Sequence, residues 1–204
     1  MGLDKGAQSP FRKYGRIWLL PVIVIVISVT ISMGGEDARL LLKYDRLAIE
    51  AGQYWRLLSG HFAHLGNSHM LLNAAGLVLV WFLVGERAPA WVWAIVLVWS
   101  IACIDLGFWL FDTRLIWYVG LSGVLHGLLV SGAIAGLAEA RGESLLLLAI
   151  VFGKLAYEQI AGPLPGSEST SGGPVVVNAH LYGALAGVVA GLLMWRSVAG
   201  PKPI

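Results

Sequence analysis

Cysteine and charge are both scarce in this sequence of 204 residues. Only 13% of the residues are charged whereas 57% are hydrophobic, a balance that a soluble domain of this size could hardly bury. Cys103 is the only cysteine, so neither a disulfide framework nor a thiolate metal site can be built. The net charge is only +2 and the basic residues are scattered, which argues against nucleic acid as a partner. The composition therefore predicts an integral membrane protein whose first partner is the lipid bilayer.

Long apolar segments predict six membrane spans. Each approaches the ~20 residues that an α-helix needs to cross a bilayer. The predicted spans are residues 17–33, 69–84, 90–111, 122–138, 144–160 and 175–195. The first lacks a convincing small-residue cleavage site, so we interpret it as a retained anchor rather than a cleaved signal peptide. With no soluble domain, linker or internal repeat in the sequence, residues 1–204 are predicted to form one membrane domain.

The basic residues that flank these spans predict the orientation, because Lys and Arg accumulate on the cytoplasmic side. The larger group consists of Lys5, Arg12, Lys13, Arg16, Arg87, Arg141, Arg196 and Lys202. The smaller group consists of Arg39, Lys43, Arg46, Arg56 and Arg114. Both termini are therefore expected in the cytoplasm. Residues 34–68 mix most of the smaller group with leucines and aromatic residues, so we expect this long outer loop to lie in the membrane interface.

Glycines spaced four residues apart in two of the spans predict a close helix pair. Such ladders let helix backbones approach where lipid supplies no hydrophobic driving force. The fourth span carries Gly123, Gly127, Gly132 and Gly136, and the sixth carries Gly183, Gly187 and Gly191. Spans four and six are therefore predicted to pack tightly. Ser122, which precedes the first ladder, is either one more small residue or a nucleophile.

Four polar residues stand out within the apolar spans, where burial is expensive and calls for a partner or a purpose. His69 and Asn73 are four residues apart on one helix face, where they either bond a neighbouring helix or serve a reaction. If spans four and six pack together, His180 can reach Ser122 and act as its base. His69, Asn73 and backbone amides near Ser122 could then stabilise an oxyanion. The fourth polar residue, His126, lies one helical turn after Ser122.

These residues resemble the motifs of the rhomboid intramembrane serine proteases. The segment Gly120-Leu121-Ser122-Gly123 is similar to the family's G-x-S-G motif, and His69 with Asn73 resembles its H-x-x-x-N pair. Ala179-His180 followed by Gly183 and Gly187 resembles its A-H-x-x-G-x-x-x-G helix. The resemblance implies an all-α bundle of six transmembrane helices with a long interfacial first outer loop. It also implies proteolysis of transmembrane protein substrates without a metal or a cofactor.

The same resemblance assigns roles to single residues. It implies a catalytic dyad of Ser122 and His180, with oxyanion stabilisation by His69, Asn73 and the backbone amides of Leu121 and Ser122. One position departs from the family, because many rhomboids carry a tyrosine four residues after the serine and this chain carries His126. His126 either stacks on, bonds to or orients His180, or it is a buried histidine that a neighbouring helix satisfies.

The amino-acid sequences of two segments resemble one branch of the family, the rhombosortases. These segments are "HFAHLGNSHMLLN" and "YVGLSGVLHGLL". That branch is associated with bacterial proteins that carry a C-terminal Gly-Gly motif, an apolar helix and a basic tail. The resemblance therefore implies a multi-pass protein of the bacterial cytoplasmic (inner) membrane that acts on Gly-Gly-tailed exported proteins.

Other charged residues within the spans have simpler interpretations. Asp105 invites a serine-histidine-aspartate triad, but nothing in the sequence places it beside His180. Lys154 and Glu158 are four residues apart, so mutual pairing is expected, with substrate contact as the alternative. Two other functions stay open: a non-proteolytic rhomboid-like protein that binds membrane proteins, and a metal transporter. The histidines that would line such a transporter are His61, His64 and His69.

Overall fold

The computed structural model describes residues 10–199, with side chains for residues 17–196. Lys5 and Lys202, which contribute to the predicted orientation, lie outside the described residues. The helices are α1 Pro10–Met33, α2 Gly35–Leu42, α3 Arg46–Glu50, α4 Trp55–Ser59, α5 Asn67–Val84, α6 Ala90–Leu110, α7 Ser122–Ala135, α8 Arg141–Ala161, α9 Ser167–Ser171 and α10 Val177–Ala199. Two short strands, β1 Tyr44–Asp45 and β2 Trp117–Tyr118, pair in an antiparallel sheet. This small sheet is a minor addition to an otherwise all-α fold.

Each of the six predicted spans overlaps one helix. Within residues 10–199, α5, α6, α8 and α10 are long and apolar enough to cross a membrane. A fifth span results if α1 and α2, which meet at an angle of 117°, are counted as one bent segment. The α7 segment, which a 3₁₀ turn extends to Ala138, is apolar but shorter than the others. The prediction of an all-α membrane bundle is confirmed, while the count of six spans stays a prediction.

The outer surface of the bundle is apolar, as a protein in lipid requires. Large side chains such as Phe82, Trp91 and Ile150 are more than half exposed on the outward faces of α5, α6 and α8. A contiguous apolar exterior of this kind is rare on soluble monomers and typical of a membrane-facing surface. The interior is also apolar, with Ile104 and Phe108 of α6 completely buried. Polar side chains inside the bundle are therefore few and are surrounded by apolar residues.

Helices α7 and α10 pack backbone to backbone, as the glycine ladders predict. A β-carbon added to Gly187 would lie 2.5 Å from the Gly127 carbonyl oxygen, closer than real β-carbons come. One added to Gly123 would lie 2.7 Å from the carbonyl oxygen of Ala179. Glycine is therefore required at this interface, and the predicted pairing of spans four and six is confirmed.

The lower part of the α7 ladder has other neighbours. Gly132 packs against the side chain of Val84 at the end of α5, and Gly136 lies against Arg87. Arg87 in turn donates a hydrogen bond to Ser144 of α8 at 2.9 Å. The four glycines of α7 and the 3₁₀ turn that follows it thus serve different interfaces, because Gly123 and Gly127 face α10 whereas Gly132 and Gly136 face Val84 and Arg87.

The long loop over residues 34–68 is folded against the bundle. Arg56 is buried and donates hydrogen bonds to the carbonyl oxygens of Leu40 at 2.9 Å and Lys43 at 3.0 Å. Arg46 is also buried and donates to the Phe108 carbonyl oxygen at 2.6 Å, which ties the loop to the end of α6. These two guanidinium groups satisfy backbone carbonyls, which explains why positive charge is retained in the smaller basic group.

Candidate active site

Ser122 is the first residue of α7 and follows a sharp turn at Gly120. Gly120 has a φ of +130°, a conformation that L side chains rarely adopt, and an added β-carbon would lie 2.9 Å from Cε1 of His69. The turn is held on both sides. The Gly120 amide donates to the Gly60 carbonyl oxygen at 3.1 Å, and the Tyr118 hydroxyl donates to the Gly120 carbonyl oxygen at 2.6 Å. Ser122 therefore begins a helix whose preceding turn is held by Gly60 of the loop over residues 34–68 and by Tyr118.

Ser122 and His180 are in direct contact across the α7–α10 interface. Ser122 Oγ lies 2.9 Å from Nε2 of His180, within hydrogen-bond distance. Ser122 is half-buried, and His180 is only 5% exposed. The contact depends on the close helix approach, because Gly123 and Ala179 are the chain neighbours of these two residues. A serine hydroxyl so placed can transfer its proton to the imidazole.

The second ring nitrogen of His180 meets a carboxylate that the sequence did not assign to the site. His180 Nδ1 lies 2.9 Å from Oε2 of Glu158 on α8. The other carboxylate oxygen, Oε1, lies 2.7 Å from Nζ of Lys154, so the predicted pairing within α8 is confirmed. Lys154 Nζ also lies 3.3 Å from His180 Nδ1. The only signal for these contacts was a charged pair in an apolar helix, because the rotation of α8 about its axis cannot be inferred from spacing alone.

His126 contacts both Ser122 and His180. Its ring stacks on that of His180 with centroids 4.4 Å apart and planes 20° apart. Its Nδ1 donates a hydrogen bond to the Ser122 carbonyl oxygen at 2.7 Å, the contact that suits the i and i+4 spacing. The predicted stacking of His126 on His180 is therefore present, whereas the hydrogen bond of His126 goes to the Ser122 backbone and not to His180.

His69 and Asn73 occupy the opposite side of the same space. The Leu65 amide donates to His69 Nδ1 at 3.3 Å, which leaves the ring proton on Nε2, next to Gly120. Asn73 is 5% exposed and donates one of its two amide protons to the His69 carbonyl oxygen at 3.0 Å. Both side chains therefore retain a donor that the hydrogen bonds to Leu65 and His69 do not use.

One cavity of about 510 Å³ collects these side chains. Its lining includes the polar side chains of His69, Asn73, Ser122, His126, Lys154, Glu158 and His180. Several residues between positions 164 and 176, some of them in α9, also line the cavity. Leu121, predicted to contribute a backbone amide, is buried at the turn before Ser122. A helix start such as this leaves its first backbone amides without intrahelical acceptors.

Asp105 and the other histidines lie outside this group. Asp105 Oδ1 is 3.1 Å from Nε2 of the fully buried His61, so the partner of Asp105 is His61 and not His180. The ring of His64 packs edge-on against that of His69, with centroids 5.0 Å apart. In the part of the chain that the structure describes, no three His, Cys, Asp or Glu residues are placed to hold a metal ion. The metal-transporter interpretation therefore has no supporting geometry in that part.

Comparison with known families gives one match over most of the chain. The family model described as Rhomboid domain matches residues 51–197. This range is more than half of the chain and includes every residue that lines the cavity. No curated protein matches the chain.

Proposed function

The chain belongs to the rhomboid family of intramembrane serine proteases, and from this premise we propose that it is an intramembrane serine endopeptidase. Ser122 is the nucleophile and His180 the general base. The observation that carries this proposal is the 2.9 Å contact between Ser122 Oγ and His180 Nε2 in a cavity of an apolar helix bundle. Nε2 takes the hydroxyl proton as Oγ attacks the peptide carbonyl, and then gives it to the leaving amine. Water hydrolyses the acyl-enzyme with the same histidine as base.

The developing oxyanion is stabilised by donors on the far side of Ser122. We assign this role to Nε2–H of His69, to the second amide proton of Asn73 and to the backbone amides of Leu121 and Ser122. The hydrogen bond from Leu65 to His69 Nδ1 supports the assignment, because it leaves the proton on the nitrogen beside Gly120. Preorganised donors of this kind often make the largest single contribution to acyl-transfer catalysis.

A substrate helix reaches Ser122 sideways, between α5 and α8. Both helices contribute to the cavity lining. Only 22% of the apolar window of α8 is buried in the bundle, compared with 39% for α5, so α8 is the more peripheral helix. Small residues in the substrate favour cleavage, since glycine weakens a helix and lets its backbone approach the serine.

The preferred substrates are exported proteins with a C-terminal Gly-Gly motif, an apolar helix and a basic tail. This finer proposal rests on the resemblance of the segments around His69 and Ser122 to the rhombosortase branch. It places the protein in the bacterial cytoplasmic membrane with both termini in the cytoplasm, so that the soluble part of the substrate is released on the outer side. The basic residues that flank the spans support this orientation.

Reconstitution in liposomes with a Gly-Gly-tailed membrane substrate tests the proposal. Ser122→Ala and His180→Ala are expected to lose cleavage by about 10³-fold or more, because the two side chains act as one unit. A fluorophosphonate probe is expected to label the parent but not Ser122→Ala. A substrate with Leu-Leu in place of Gly-Gly is the control for the substrate class. Parent-like cleavage by both variants would contradict the proposal, and binding of substrate without cleavage or labelling would indicate the non-proteolytic relative.

A further inference from the structure

We propose that Glu158 is a positioning residue for catalysis, which holds His180 in the tautomer that can act as base towards Ser122. The inference rests on the proposed serine-peptidase function and extends the predicted dyad to a third side chain on a different helix. It is carried by the contact of 2.9 Å between Glu158 Oε2 and His180 Nδ1, on the ring edge opposite Ser122.

The two neighbours of His180 Nδ1 favour opposite tautomers. A neutral imidazole carries its proton on one nitrogen and accepts hydrogen bonds at the other. Glu158 can only accept from Nδ1–H, which leaves Nε2 free to take the Ser122 proton. Lys154 can only donate to an unprotonated Nδ1, which would put the proton on Nε2 and block the base. The carboxylate is closer, at 2.9 Å against 3.3 Å for the ammonium, so the structure favours the productive tautomer.

Lys154 has a supporting role in this arrangement. Its Nζ lies 2.7 Å from Glu158 Oε1, on the carboxylate oxygen that does not face His180. Glu158 is only 3% exposed, and a buried carboxylate needs paired charge and hydrogen bonds at both oxygens. The ammonium therefore neutralises the carboxylate and fixes its rotation, while the carboxylate gives the ammonium a closer partner, at 2.7 Å, than the imidazole at 3.3 Å.

Glu158 does not have to accept a proton at any step of the reaction. During acylation the Ser122 hydroxyl proton moves to His180 Nε2, the bond between Oγ and the peptide carbon forms, and the imidazole becomes cationic. Its Nδ1 proton stays on the ring and is shared as a hydrogen bond with the ionised carboxylate. The Nε2 proton then passes to the leaving amine as the peptide bond breaks. Glu158 thus stabilises the imidazolium and its orientation without taking part in proton transfer.

Four variants separate this role from packing and from substrate binding. They are Glu158→Leu, Glu158→Gln, Lys154→Met and the double variant Lys154→Met/Glu158→Leu. For Glu158→Leu we expect kcat and the rate of fluorophosphonate labelling to fall about 10²–10⁴-fold, with KM within about threefold of the parent. Glu158→Gln is expected to recover part of the loss, since its amide oxygen can accept from Nδ1–H. Lys154→Met keeps the carboxylate contact and is expected to stay within about tenfold of the parent.

The double variant gives the sharpest comparison. It removes the cation that would otherwise donate to Nδ1, and it leaves no unpaired buried charge that could prevent folding. We expect it to be about tenfold more active than Glu158→Leu, although it carries one more substitution. The ¹⁵N spectrum of labelled histidine is expected to show His180 protonated at Nδ1 in the parent and at Nε2 in Glu158→Leu.

Asp105→Leu is the matched control, because Asp105 is a second buried carboxylate paired with a histidine, outside the cavity. It is expected to lower the thermal unfolding temperature while labelling stays within about threefold of the parent. Parent-like kcat and labelling in Glu158→Leu and the double variant would overturn the inference. So would a raised KM with unchanged kcat, which would indicate substrate contact. Retained cleavage in Ser122→Ala would refute the proposed function itself, whereas loss there with full activity in Glu158→Leu would refute only the role of Glu158.

Discussion

Replacing Gly123 by alanine perturbs the α7–α10 interface directly beside the contact between Ser122 and His180. The added β-carbon would lie 2.7 Å from the Ala179 carbonyl oxygen and 2.9 Å from Cδ1 of Ile104, whereas ordinary contact begins at 3.4 Å. Since a backbone oxygen cannot rotate away, α7 and α10 must separate by about 0.7 Å. The distance between Ser122 Oγ and His180 Nε2 would then grow from 2.9 Å to as much as about 3.6 Å, at which the hydrogen bond is lost.

We expect Gly123→Ala to lower kcat by about 100-fold, the size of effect that a misplacement of about 1 Å produces. The assays are cleavage of the reconstituted membrane substrate and the rate of fluorophosphonate labelling, which reports on the serine without a substrate helix. Gly153→Ala is the matched control, because Gly153 lies within α8 and an added β-carbon there meets nothing within 4 Å. If Gly123→Ala labels as fast as Gly153→Ala, the close approach of the helices is not what sets the Ser122–His180 contact.

Three further substitutions test other parts of the structure. His126→Ala should lower kcat about tenfold through loss of the stacked ring, while His126→Tyr, which keeps a ring, should stay within about threefold, both measured by cleavage. His69→Phe should lower kcat about 10²–10³-fold with little change in KM if its Nε2–H meets the oxyanion, and an unchanged kcat would contradict that role. Burial alone would raise the pKa of Asp45, but a hydrogen bond from the Ala48 amide and the contact with Lys43 outweigh it and lower the pKa below its ordinary value. The stability that Asp45 contributes should therefore be present above the ordinary pKa of an aspartate, about 3.9, and be lost as the pH falls through the lowered pKa. Thermal unfolding of the parent and of Asp45→Asn at a series of pH values checks this. A difference in unfolding temperature between the two that stays constant down to pH 2 would exclude it.

The contact between Ser122 and His180 could be predicted because it follows from a pattern in the chain. The glycine ladders select which helices touch, and the positions of Ser122 and His180 at the starts of their helices put both at one end of the bundle. The same reasoning brought His69 and Asn73 to the cavity, since residues four apart share a helix face. The fold and the central contact therefore depend on local rules of spacing and size.

The contacts of Glu158 and Asp105 could not be predicted in the same way. The spacing of four residues explains why Lys154 and Glu158 pair within α8. Because this pairing already compensates both charges, the sequence gives no reason to expect that Glu158 also contacts His180. Whether Glu158 faces His180 depends on the rotation of α8 around its axis, which many weak contacts determine together. For Asp105 the partner is His61, which lies 44 positions away in an irregular segment without periodicity.

The strand pair connects the loop over residues 34–68 mechanically to Ser122. Tyr44 of the loop pairs with Tyr118, and the Gly60 carbonyl oxygen accepts the amide proton of Gly120, two residues before Ser122. The sequence predicts that this loop lies in the membrane interface, so we expect a change in lateral pressure there to displace the turn that positions the Ser122 hydroxyl. In vesicles of different headgroup composition, the turnover rate should change through the orientation of Ser122 even where the affinity for the substrate helix is constant.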